Sequence, residues 1–281
     1  MTVKVLARVP ITFDCADGSA THAPLIVTSV GGAAPARYIL DTGSEVHLLN
    51  EDLADELQLT KVPGEEGVDH AGNTMPSWTI GDVAIDLGGF GATLRESVSI
   101  PAPAVFPPKG IRGILSPQTF HPDAWTVIDT AMDELLLLDG SENAAADFLR
   151  SRTPTLELLS LPRDPDYPSL VVPAALDGYD ETPTLLNTGG KSTEYGAEAV
   201  AGLGSGDQER LGGGVSGADY AGWSLGAHSL NVGGRSVGLP KLSVRPQMHD
   251  PQAIIGMDAL RGTVLAFAND LAKPVFWLVP A

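Results

Sequence analysis

One short sequence context occurs twice in this chain, and the duplication limits the architectures open to it. In the first half, PLIVTSVGGAAPARYILDTGSEVHLLNEDLADEL carries an apolar strand pattern into Asp41-Thr42-Gly43-Ser44 and on into a helix-compatible stretch. In the second half, PSLVVPAALDGYDETPTLLNTGGKSTEYGAEAV repeats that order around Asn187-Thr188-Gly189-Gly190. Two apolar residues precede each turn, Ile39-Leu40 and Leu185-Leu186. A second pair of landmarks follows at nearly equal separations, Ile114-Leu115-Ser116 and Ile254-Ile255-Gly256, each leading into another apolar strand pattern. Landmarks that keep their order and spacing point to an internal repeat. Two copies are too few for a solenoid, so the expected product is a pair of pseudo-symmetric lobes.

The 281 residues are enough for two lobes that each bury a core. Hydrophobic residues make up 43% and charged residues 19%, a globular balance. Gly 32 and Pro 22 supply many turns, and the apolar runs between them are short and rich in Val, Ile and Leu. The expected fold class is therefore mainly β, with lobes over residues 1–140 and 168–281. Residues 141–167 read as the connection, helix-compatible at NAAADFLRS and then polar and proline-containing.

A net charge of −18 without a Lys/Arg cluster opposes a nucleic-acid partner, and the acidity reads as solubility. Cys15 is the single cysteine and permits no internal disulfide; it reads as a small strand residue. The start MTVKVLARVP lacks a signal-peptide pattern, and no run of about 18 apolar residues is present. The expectation is a cytoplasmic protein with no membrane partner.

At the repeated motifs the chain resembles the pepsin- and retropepsin-type aspartic proteases, whose two lobes each carry two apolar residues before Asp-Thr-Gly and a later apolar pair followed by Gly. The resemblance spans roughly residues 20–140 and 168–280. It implies a bilobal fold of two β-barrel-like lobes with short helices, built of retropepsin-sized units in one chain. It further implies an aspartic endopeptidase that needs no cofactor or metal, takes an extended peptide into the cleft between lobes, and works as a monomer because duplication replaces dimerisation. Asp41 and Asn187 occupy the two catalytic positions, and Ser116 stands where the family has Gly.

The residue types make chemical sense. Amide hydrolysis needs a base for the water and an acid for the leaving nitrogen. Two carboxyls sharing one proton do both, because like charges about 3 Å apart cannot both ionise. Thr42 and Thr188 are expected to tie the loops together through bonds to each other's backbone. Gly43 and Gly189 let backbone pass close to the carboxyls, and Ser44 is expected to bond the outer oxygen of Asp41. Asn187 departs from the pattern: it offers an amide donor but can neither give nor take a proton, so hydrolysis should be heavily impaired. It is either a replaced aspartate or the residue of a pseudoenzyme that only binds peptides, and the otherwise intact second loop favours replacement; a related alternative is another peptide-modifying enzyme on the same fold.

Each lobe of the family also has a hairpin between its landmarks that can cover the substrate. Asp69-His70-Ala71-Gly72-Asn73-Thr74 has the chemistry of such a tip, with Trp78 as the nearby aromatic in place of the tyrosine of large pepsins. Gly212-Gly213-Gly214-Val215-Ser216-Gly217 takes the corresponding place in the second half, with Gly214 and Ser216 near its tip.

Other motifs carry less. Gly222-Trp223-Ser224-Leu225-Gly226 matches a serine-hydrolase elbow, but strand and turn follow it where a helix is needed. Asp129-Thr130-Ala131 lies in an apolar strand and reads as solvent-facing. Gly202-Leu203-Gly204-Ser205-Gly206 lacks βαβ context. The six histidines are scattered, and none stands at metal-ligand spacing.

Overall fold

The computed structural model describes residues 3–69, 71–214, 216, 218–248 and 250–280. The chain is mainly β. One sheet has 13 strands, a second has 9, and a separate pair forms a small hairpin.

The repeat is visible in local topology. In the large sheet, Ala36–Leu40 lies antiparallel to Ala20–Thr28 and parallel to Ile111–Leu115, which lies antiparallel to Leu48–Asn50. In the second sheet, Thr182–Leu186 lies antiparallel to Val171–Leu176 and parallel to Ala253–Ile255, which lies antiparallel to Glu194–Gly196. The register repeats as well: Ile39 and Leu40 face Ile114 and Leu115, as Leu185 and Leu186 face Ile254 and Ile255. Parallel strands buried on both faces favour continuous apolar runs. That is why each turn follows an apolar pair: Leu40, Leu115, Leu186 and Ile255 are all fully buried.

The halves are stitched by the large sheet. Trp125–Asp129 pairs with Val264–Ala268, and Val275–Pro280 then pairs with Leu156–Leu161. Trp125 stacks on Phe276 at 4.9 Å between centroids, both buried. The connecting segment is thus a helix, Glu142–Arg152, capped by the Ser141 hydroxyl, followed by the edge strand Leu156–Leu161.

The expectation of barrel-like lobes is corrected: the sheets are open. The large sheet ends at Leu156–Leu161 on one side and Val62–Pro63 on the other, and these edges do not pair. Within the first half, the segment after Ala20–Thr28 returns to Trp78–Asp86 only through an isolated bridge, Val30 with Ile85, and the bonds Gly31 N–H to Ala84 O and Asp86 N–H to Ser29 O. Among the described residues, no helix is long and apolar enough to cross a membrane.

Candidate active site

The two repeated turns leave the ends of their strands and meet. Asp41 N–H donates to Leu115 O at 2.9 Å, and Asn187 N–H donates to Ile255 O at 2.9 Å, so the second landmark of each half fixes the start of each turn. The threonines then interlock. Thr42 Oγ1 donates to Leu186 O at 2.5 Å and accepts from Thr188 N at 3.0 Å. Thr188 Oγ1 donates to Leu40 O at 2.8 Å and accepts from Thr42 N at 3.1 Å. Both threonines are fully buried, and each hydroxyl spends its single proton on the opposite strand.

The glycines bring the functional side chains together. A Cβ built on Gly43 would lie 2.7 Å from both Cγ and Nδ2 of Asn187, and one on Gly189 would overlap the Asp41 carboxyl. Each loop's polar side chain therefore occupies the space where a larger residue of the other loop would stand. Gly43 N–H donates to Asp41 Oδ1 at 2.8 Å; Gly189 N–H and Gly190 N–H donate to Asn187 Oδ1 at 2.8 and 2.9 Å. The Asn187 amide is thus held by its oxygen, with Gly43 and Gly190 lying against the same side chain.

The Ser44 hydroxyl donates to Val46 O at 2.7 Å. The loop gains other support, which sequence reasoning missed. Gln118 Nε2 donates to Ser44 O at 2.8 Å and, at 3.4 Å, to Thr42 O. His47 is buried, stacks on Phe120, accepts from Ser116 N–H at Nδ1 (3.2 Å) and meets Thr119 Oγ1 at Nε2 (2.8 Å). Because Thr119 Oγ1 donates to Ser116 O, His47 must be the neutral Nε2–H tautomer, and burial pushes its pKa down to about 4. Thr193 takes the matching position in the second half: its hydroxyl accepts from Gly256 N–H at 3.3 Å and donates to Asp258 at 2.7 Å. Matched offsets from the two turns were the signal that could have exposed this pair.

His22 was also missed. Its Nε2 lies 3.0 Å from Gly189 O, which can only accept, so Nε2 carries the proton. Desolvation holds this imidazole below its ordinary pKa against the raising effect of that bond, and Lys191 and Lys109 push the same way.

The two candidate hairpins come into contact. Gly67–Val68 pairs with Thr74–Met75, and Glu209–Gly213 pairs with Asp219–Leu225. Asp69 Oδ1 accepts from Ala71 N–H and Asn73 N–H, both at 2.9 Å, which folds the first tip; Gly72 completes it at φ 83°. Asp69 Oδ2 accepts from Ser216 N–H at 3.1 Å and from the Ser216 hydroxyl. A Cβ on Gly214 would overlap the same carboxylate. Burial acts to raise the Asp69 pKa, but the donors from Ser216, Asn73 and Ala71 outweigh it and hold it low. His70, Val215 and Gly217 lie outside the described residues. Trp78 stands away from the tip, at the start of Trp78–Asp86, next to the edge strand Val62–Pro63 and 5.8 Å beneath the Lys61 ammonium.

The secondary motifs resolve structurally. Ser224 lies inside the strand Asp219–Leu225 with its hydroxyl on Glu209, so no nucleophile elbow forms. Asp129 is corrected from solvent-facing to buried: it accepts from Ala131 N–H and Met132 N–H and pairs with Arg152 at 3.2 Å. Cys15 is buried just after the first strand.

No protein-family model matches the chain, and no curated protein matches it in sequence.

Proposed function

We propose that this chain is an aspartic-protease-like protein of bilobal design whose paired loops form one catalytic centre, and that it acts on extended peptides as an endopeptidase when both loops carry aspartate. The observation that carries the reading is the reciprocal lock of Thr42 and Thr188 with each loop's glycine set against the other loop's Asp41 or Asn187. A lock of that form has little use except to hold two side chains in a fixed relation across the junction.

In this centre Asp41 is the base that takes a proton from water. Asn187 fills the acid's position: its Oδ1 is held by two backbone N–H groups, which leaves its NH2 as the donor in place of a protonated carboxyl's O–H. It preserves geometry and removes proton transfer. General acid catalysis contributes about 10²–10⁴ in rate, so the chain with Asn187 binds peptide and hydrolyses it poorly. In this reading the two hairpins that meet through Asp69 and Ser216 cover the peptide and hold it by main-chain bonds.

The test is digestion of a mixed peptide library, with products mapped by mass spectrometry. Asn187→Asp should yield cleavage absent from the chain itself, and adding Asp41→Asn should abolish it. Full-rate cleavage by the Asn187 chain would defeat the assignment.

A further inference from the structure

Between the second loop and its hairpin lies a pocket of about 270 Å³, walled by Lys191 and Ser192 on the loop side and by Glu209, Arg210 and Leu211 on the hairpin side. We propose that this pocket is a subsite for a carboxylate of the bound peptide, so that the cleft selects chains carrying an acidic group on the second loop's side. The proposal rests on the peptide-cleft reading above.

Position argues first. Lys191 follows Gly189 by two residues, so its Cα lies within about 7 Å of a glycine that abuts the Asp41 carboxyl. A side chain a few residues from the centre of an extended peptide spans that range, at about 3.3 Å per residue. The opposite wall belongs to the hairpin that meets Asp69.

Charge argues second. Lys191, Arg210 and Lys241 line the pocket together with Glu209 and Asp258. Glu209 is already engaged by Lys241 at 3.2 Å and by the Ser224 hydroxyl. Asp258 is turned to Thr193, accepting from its N–H at 3.0 Å and its hydroxyl at 2.7 Å. Arg210 pairs with Asp219 at 2.6 Å. Among the described residues, no carboxylate stands within ion-pair distance of Lys191, which is exposed. In a chain of net charge −18, a pocket with an uncommitted ammonium is a local exception. At the matching position of the first loop stands Glu45, of opposite sign, so the repeat has diverged in charge where a peptide would leave the centre on either side.

The carboxylate could be an Asp or Glu side chain or the peptide's own C-terminus. The experiment is retention on the immobilised Asn187 protein of randomised decapeptides in which one fixed Glu, Gln or Lys is moved along the chain, with C-termini free or amidated. Glu should be retained about three- to tenfold better than Gln at positions on one side only, and Lys191→Glu should reverse the preference toward Lys. Retention that is equal for Glu and Gln but falls about three- to tenfold on amidation, and no longer does so in Lys191→Glu, also supports the pocket and identifies the terminal carboxylate as its ligand. Peptides bound with neither Glu/Gln nor free/amidated discrimination, or discrimination that survives Lys191→Glu, would overturn the subsite and leave the cleft standing. Retention of no peptide at all would overturn both.

Discussion

Thr42 and Thr188 each bond the other's N–H and the other strand's carbonyl inside a fully buried junction. Thr42→Val, nearly isosteric, leaves Leu186 O and Thr188 N–H without partners, at about 1–3 kcal/mol for each group. The urea midpoint should fall accordingly, while Thr42→Ser keeps most of it; an unchanged midpoint for Thr42→Val would contradict the lock. His47 makes a second residue-scale prediction. Its native pKa is depressed from 6.5 to about 4, so the folded state binds fewer protons than the unfolded state across that window. Its contribution is therefore fully present above pH 6.5 and lost as pH falls toward 4, on the order of 3 kcal/mol in all. Denaturation at pH 7 and pH 5 should show this slope, and His47→Gln should flatten it; an equal slope in the variant would exclude His47 as its source. The threonines, glycines and Asp41 were legible because the motif occurs twice. Ser44, His47, His22 and Gln118 were not, because their partners (Val46 O, Ser116 N–H, Gly189 O and Ser44 O) are backbone groups placed only by the fold.

The hairpin Gly67–Val68/Thr74–Met75 touches the hairpin Glu209–Gly213/Asp219–Leu225 through Asp69 and Ser216. The first, a two-strand pair outside the large sheets, would be marginal alone and is here tied to the second, whose strand Asp219–Leu225 belongs to the nine-stranded sheet. Ser216→Ala removes the hydroxyl from Asp69, and hydrogen exchange at the amides of Ala71 and Asn73, in the other hairpin, should rise about fivefold. Exchange confined to the mutated hairpin would show that the two move independently. Both tips could be placed from their turn residues, but their contact could not, since Asp69 also reads as an ordinary turn residue that bonds its own backbone. The same limit explains Asp129: an acid in an apolar strand reads as solvent-facing until Arg152, on the following helix, is brought against it.

At the scale of the molecule, the strands Trp125–Asp129 and Val264–Ala268 were recognisable as matched sequences following matched landmarks. Their pairing with each other was not, because register between distant strands depends on which faces the rest of the chain leaves to be buried. That pairing joins the two halves in one sheet, while the Asp41 and Asn187 loops are held at a common junction by Thr42 and Thr188. The central claim is that this junction is one catalytic centre with a vacant acid function, and the pH–rate profile of peptide cleavage by Asn187→Asp tests it most directly. Two carboxyls sharing a proton should give a bell-shaped profile bounded by two macroscopic pKa values that belong to the pair, with activity lost throughout when Asp41→Asn is added. A variant that cleaves no peptide while remaining folded, or whose cleavage persists after Asp41→Asn, would contradict it.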